Sequence, residues 1–210
     1  MAMRLQEIHP SLVHYPIALL PVSIGADALG KVTGSRTLLG MGKMGIALTA
    51  GTAALAGVFG LIAQEEVKLN SDRAGDLLVT HRNLNVGFLA LATMMAIRRS
   101  MRRKPSMRYL ATGAAAIGAV AYSAYLGGKM VYEHGVGVKA ADGIAEGHAP
   151  ELRLDRLVEL SERALQDVKD GVRHAAEALA DGKIVPAIGA RPMEPVREAG
   201  VPRAADGPQP

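Results

Sequence analysis

The chain has 210 residues, 49% apolar and 21% charged, averages that hide an uneven distribution. Residues 1–138 carry a net charge of +7 and residues 139–210 one of −3, so a membrane-like part precedes a soluble-like part. The lack of cysteine excludes disulfides, thiolate metal sites, iron–sulfur clusters and c-type haem attachment, and 3% aromatic residues without Trp argue against a stacking platform for single-stranded nucleic acid.

The first apolar run, Ser11 to Ala26, is uncharged apart from a neutral His14 and continues past Asp27 to about Gly30. Pro16, Pro21 and His14 lie inside it and no small-residue cleavage site ends it, so it reads as a retained span rather than a signal peptide. Met44 to Ala63 and Tyr109 to Gly128 are each 20 residues without a charge, long enough to cross a bilayer as a helix. Leu84 to Ile97 has only 14 such residues and reaches spanning length when extended back to about Leu77, which brings in His81 and Arg82. The pattern predicts an all-α protein over residues 1–138, a four-helix transmembrane bundle with spans at about 10–31, 43–64, 77–98 and 108–131.

Loop charges set the expected direction. Arg98, Arg99, Arg102, Arg103, Lys104 and Arg108 fall between the third and fourth spans with no acid among them. Lys31, Arg36 and Lys43 lie between the first two, whereas Glu65, Glu66, Asp72 and Asp76 outnumber the two bases between the second and third. Positive-inside bias then predicts two basic loops in the cytoplasm and both termini outside, in the periplasm if the cell is Gram-negative. The arginine cluster reads as a topology determinant rather than a patch for nucleic acid or lipid recognition. Ala47/Gly51, Ala53/Gly57, Ala56/Gly60 and Ala114/Gly118 have the four-residue spacing that lets backbones approach in lipid, or that leaves room for a flat cofactor. No pair of opposite charges is expected inside the spans. Asp27 is expected to be neutralised by Lys43 or Arg36, Arg82 to snorkel outward, and Asn85 to share a helix face with His81.

Residues 139–150 read as a Gly/Ala-rich linker and 151–182 as an amphipathic helix outside the membrane, ending at Gly182. Leu154, Val158, Ser161, Leu165, Val168, Val172, Ala175 and Leu179 form the seam of a short coiled coil. That helix either lies on the bundle or serves self-association or docking to other membrane subunits. Residues 183–210 lack periodicity and read as an extended or disordered Pro-rich tail.

Six histidines occur, of which His148 and His174 belong to the tail. The expected topology brings His9, His14, His81 and His134 to one membrane face, joined by Glu65, Glu66 and Glu133. Two axial imidazoles from different helices would hold haem b without cysteine, with His14 and His81 as the preferred pair and His134 or His9 as further ligands. Three nitrogens with a carboxylate, drawn from His14, His81, His134, Glu65 and Glu66, would instead suit a transition metal ion.

The run His9-Pro10-Ser11-Leu12-Val13-His14-Tyr15-Pro16-Ile17-Ala18-Leu19 resembles the opening HPxxVHFPIAL of the domain of unknown function 2231 family, four-helix bacterial membrane proteins. Gly127-Gly128 followed by His134-Gly135-Val136-Gly137-Val138 resembles the family's closing HGxGV run, and His81-Arg82-Asn83 its middle motif. Tyr15 stands where Phe is usual, and the tail from 139 lies outside the match. The resemblance implies the four-span fold and a shared role for His9, His14, His81 and His134, but it supplies no activity. Some relatives are joined to cytochrome-like modules, which tilts the set toward haem or redox work.

Two readings follow. One is an electron-transfer protein binding haem b or a metal ion at its outer face. The other is a non-catalytic accessory subunit of a larger membrane complex, docking through its C-terminal helix and tail. No nucleophile elbow, P-loop or dinucleotide fingerprint points to an enzyme. With few spans and no inverted repeat, a transporter is not expected.

Overall fold

The computed structural model describes residues 5–138, 144 and 156–188. The linker residues 139–143 and 145–155, with His148 and Leu154, and the tail from 189 lie outside the described residues. Six α-helices follow in order: α1 Leu5–Leu12, α2 His14–Thr33, α3 Arg36–Glu65, α4 Asp72–Ser100, α5 Met107–His134 and α6 Leu157–Ala180. A single 3-10 turn, Pro186–Ile188, comes after α6.

The chain turns where its short polar residues and glycines direct it. Ser35, Ser71 and Ser106 cap the starts of α3, α4 and α5 by accepting from Leu38, Ala74 and Tyr109 backbone N–H groups. Gly34 and Gly135 end α2 and α5 in the left-handed conformation that glycine adopts without Cβ strain. Between α1 and α2, Pro16 cannot donate to the carbonyl of Leu12, and the helix breaks at Val13.

Helices α2, α3, α4 and α5 form a closed ring in which each contacts the next and α5 returns to α2. Their shared core is Leu20 and Ile24, Ile46 and Ala53, Phe88, Ala92 and Met95, and Ala116 and Val120. Short α1 lies on α3, and α6 lies on α3 beside Ile62 and Phe59 through Leu160, Ala164 and Val168.

Three helical stretches, Glu7–Thr33, Arg36–Glu65 and Met107–His134, are long and apolar enough to cross a membrane. The remaining expected span falls within α4, which has the length but carries Asp72, Arg73, Asp76, Arg82, Arg98 and Arg99. Helices α3, α4 and α5 outrun the spans expected for them, because a helix continues past the hydrocarbon until a cap stops it, whereas α2 starts four residues inside its expected span, at the break beside Val13.

The closest helix approaches occur at glycines outside the expected four-residue pairs. A Cβ on Gly42 would collide with the Asp27 carboxylate, on Gly45 with the Ser23 hydroxyl, and on Gly113 with Ile24. Gly51 and Gly118, by contrast, have nothing within 4 Å of a Cβ. These contacts seat α3 and α5 on α2 and place the two ends of the bundle described next.

Candidate ligand site at the histidine end

The outer ends of α2 and α3 and the starts of α1 and α4 bring most of the sequence's polar candidates together. His9 projects from α1 onto α3, where its Nδ1 lies 2.9 Å from the carbonyl of Ala56. Its ring rests on Gly60, where a Cβ would come within 3.0 Å of His9 Cε1. His81 projects from α4 toward α5 in the same manner, with Nδ1 2.9 Å from the Ser123 carbonyl and its ring against Gly127. A nitrogen facing a carbonyl must carry the proton, so in both rings Nδ1–H donates and Nε2 keeps its lone pair. Asn85, one turn beyond His81, donates to its Nε2 at 3.2 Å and to Ser123 Oγ at 2.8 Å. It thus both orients the ring and bonds across helices.

His14, a preferred ligand from sequence, is exposed on the outer surface of α2. Five residues along a helix rotate the side chain by about 140°, so the turn that buries His9 directs His14 outward. His134 stays apart as well, half-buried with its Nδ1 3.5 Å from Ser71 Oγ. Glu65 accepts from Gln64 Nε2 at 2.8 Å, and its Oε1 lies 3.0 Å from His174 Nδ1 on α6. Glu66 is buried at the end of α3, and Glu133 pairs with Lys129 on the surface of α5. Among the described residues no three of His, Asp and Glu are grouped to hold a metal ion, so the expected set His14, His81, His134, Glu65 and Glu66 is not assembled.

Arg82 does not snorkel. It turns inward, donating through Nη1 to Gln64 Oε1 at 2.9 Å, while its Nη2 is buried with no hydrogen-bond partner among the described residues. Asn83 donates to the carbonyls of Lys183 and Ile184, and Thr80 Oγ1 accepts from the Ala187 N–H. Four consecutive residues of α4, Thr80 to Asn83, therefore reach the C-terminal segment, α5, α3 and the C-terminal segment again. Successive residues point about 100° apart, so this is possible only on a helix with neighbours on every side. Residues 183–188, expected as loose tail, are held here, and α6 lies back on α3 with Gly171 against Leu61. His174, assigned from sequence to the tail, is the residue of this end that sequence reasoning missed.

The opposite end holds a polar centre that sequence reasoning also missed. Arg99 Nε donates to both Asp27 oxygens at 3.0 and 2.8 Å, and Nη2 donates to Oδ1 at 2.7 Å and to the Leu39 carbonyl at 2.9 Å. Both side chains are fully buried, at 2% and 0% exposure, so Asp27 is neutralised by Arg99, a partner the sequence reading did not assign to it. Lys43 does not neutralise Asp27; it donates to the Ser100 carbonyl, as Lys31 does to that of Pro105. A signal was present: Phe88, Ala92, Met95 and Arg99 follow steps of four, three and four, so Arg99 continues the buried stripe of α4.

No curated protein and no solved structure matches the sequence. The profile of the family described as predicted membrane protein (DUF2231) matches residues 6–140, from just before His9 to just past the HGxGV run. With that match covering well over half of its length, the chain belongs to the DUF2231 family of membrane proteins.

Proposed function

We propose that this membrane protein binds a haem b iron through Nε2 of His9 and His81 and serves electron transfer at the periplasmic side of a bacterial inner membrane. The observation that supports the reading is the shared Nδ1-to-carbonyl bond of the two rings. Such a bond fixes the tautomer and presents Nε2 as the ligand atom. Two imidazoles without a third ligand suit haem, whose porphyrin fills the equatorial positions, better than a bare zinc or copper ion needing three or four protein ligands. The buried Nη2 of Arg82, unpaired among the described residues, fits a carboxylate substituent of the macrocycle. A bound haem would supply one-electron chemistry. The chain's own part is to hold the two rings, with Asn85 releasing His81 Nε2 and remaining on Ser123. His14 and His134 stand outside this pair.

The test is the absorption spectrum of the full chain purified from membranes supplied with haem precursor. A Soret band is expected in the native protein and in His14→Ala, and its loss in His9→Ala and His81→Ala. Absence of both Soret band and iron from the native protein overturns the reading.

The alternative reading, an accessory subunit of a larger membrane assembly, rests on a different observation. Val158, Leu165, Val172 and Leu179 recur every seventh residue along α6 and all remain exposed, a row the bundle does not cover. Native mass measurement after gentle extraction tests it: a lone monomer counts against a subunit role.

A further inference from the structure

At the arginine end, where α4 gives way to α5, a partly enclosed cavity of about 250 Å³ opens beside the buried ion pair. It is lined by Arg98, Arg102 and Arg108 together with Met94, Tyr109 and Thr112. Arg99 also borders it but is committed to Asp27. The three remaining guanidinium groups have no carboxylate partner among the described residues, and no acid occurs between Arg98 and Arg108. All three are exposed, so water and salt soften their mutual repulsion, and an anion in the cavity would relieve what remains.

Two further features point the same way. The cavity lies at the capped start of α5, a 28-residue helix whose N-terminal dipole favours negative charge. Arg99 Nη1 holds the Arg102 carbonyl at 2.7 Å and Lys31 holds that of Pro105 at 2.9 Å, so the loop carrying the arginines is pinned rather than loose.

The chemistry changes across the cavity. Its lining is cationic at the arginines, while Met94 and the neighbouring exposed Ile97, Met101 and Met107 supply apolar surface at the same level. A soluble anion has no use for that surface. A phospholipid has, because its phosphate and its acyl chains part company at this depth of a bilayer.

We propose that this cavity is a binding site for the phosphate group of an anionic phospholipid, held by Arg98, Arg102 and Arg108. Forked guanidinium donors match phosphate oxygens in pairs, and the acyl chains run along the outer groove of α4 and α5. Such a site adds to the role of these arginines in setting topology and is independent of what the histidine end binds.

The experiment uses the full chain, purified in a neutral detergent and stripped of lipid, with its melting temperature read on addition of phosphatidylglycerol, phosphatidylcholine or inorganic phosphate. Phosphatidylglycerol is expected to raise the melting temperature by about 5 °C or more at saturation, phosphatidylcholine and phosphate by far less. An equal response to phosphatidylcholine overturns the charge recognition, and an equal response to inorganic phosphate overturns the lipid assignment. Arg98→Gln/Arg102→Gln/Arg108→Gln is expected to weaken the midpoint for phosphatidylglycerol by at least tenfold. Because removing three charges also weakens the topology signal, Thr112→Trp, which fills the cavity and keeps every charge, is the second variant. It is expected to lose the same response, and an unchanged midpoint in it sinks the proposal.

Discussion

Arg99 of α4 and Asp27 of α2, 72 positions apart, meet through three hydrogen bonds of 2.7 to 3.0 Å with both side chains out of contact with solvent or lipid. A buried charge left alone is costly, so truncation on either side strands its partner. Arg99→Ala and Asp27→Ala are each expected to destabilise the protein by about 3–5 kcal/mol. The apolar double variant Asp27→Leu/Arg99→Met is expected to recover much of that loss. Thermal unfolding in detergent of the two singles and the double measures it, and additive losses would show that the pair acts as two separate contacts. Arg99→Lys is expected not to restore stability, since an ammonium cannot reproduce the forked contact with both carboxylate oxygens and the Leu39 carbonyl.

Gly42 and Gly45 are the positions where α3 comes hard against α2. Replacing Gly42 with Val drives a branched side chain into the Asp27 carboxylate and forces the helices apart. The expected cost is roughly 3 kcal/mol or more, overpacking added to a disturbed ion pair. Gly51→Val, on the open face of the same helix, is the control and is expected to change stability by less than about 1 kcal/mol. Equal melting temperatures for the two variants would contradict the packing.

The C-terminal segment is held to α4 by the side chains of two residues. Asn83→Ala removes both bonds to the carbonyls of Lys183 and Ile184, each contributing about 1 kcal/mol. Trypsin cleavage after Lys183 is therefore expected to quicken by about tenfold or more, with little change in the melting of the bundle. Thr80→Val, which frees the Ala187 N–H, is expected to act in the same direction and more weakly. A cleavage rate indifferent to both substitutions would mean that the segment is not docked in solution.

Gly171 lets α6 settle on α3, with a Cβ there falling 3.1 Å from Leu61 Cβ and 3.2 Å from the Leu61 carbonyl. Gly171→Leu is expected to lift α6 and separate His174 from Glu65. Backbone hydrogen exchange across residues 157–180 should rise several-fold while that of α3 and α5 stays low. Protection that persists along α6 would place its main hold elsewhere.

The spans were legible because lipid demands long uncharged runs, and α3 and α5 contain theirs unbroken. The helix ends were less so. Ser35 and Ser71 extend α3 and α4 several residues beyond the apolar stretch, and hydropathy is blind to caps. At the candidate site the gathering of histidines at one end was readable, but the choice among them was not. His14 looked the better ligand because it sits deeper in its span, yet helical rotation buries His9 instead. In α6 the exposed row Val158, Leu165, Val172 and Leu179 recurs every seventh residue, whereas the row on the bundle keeps no single spacing. The predicted seam held that row together with Ser161, Val168 and Ala175, and the bundle is met by Val168 along with Leu160, Ala164, Gly171 and Ala178. A glycine at the point of closest approach carries no hydrophobic signal, so the row on the bundle was hidden.

Because Thr80 and Asn83 flank His81 and Arg82, residues 183–187 are moored to the very turn of α4 that carries the imidazole. A pull on that end of the molecule is felt first there, before any load reaches the apolar interior. Whatever grips the carboxyl-terminal extension thus has a mechanical handle on the ring at the far side of the helix.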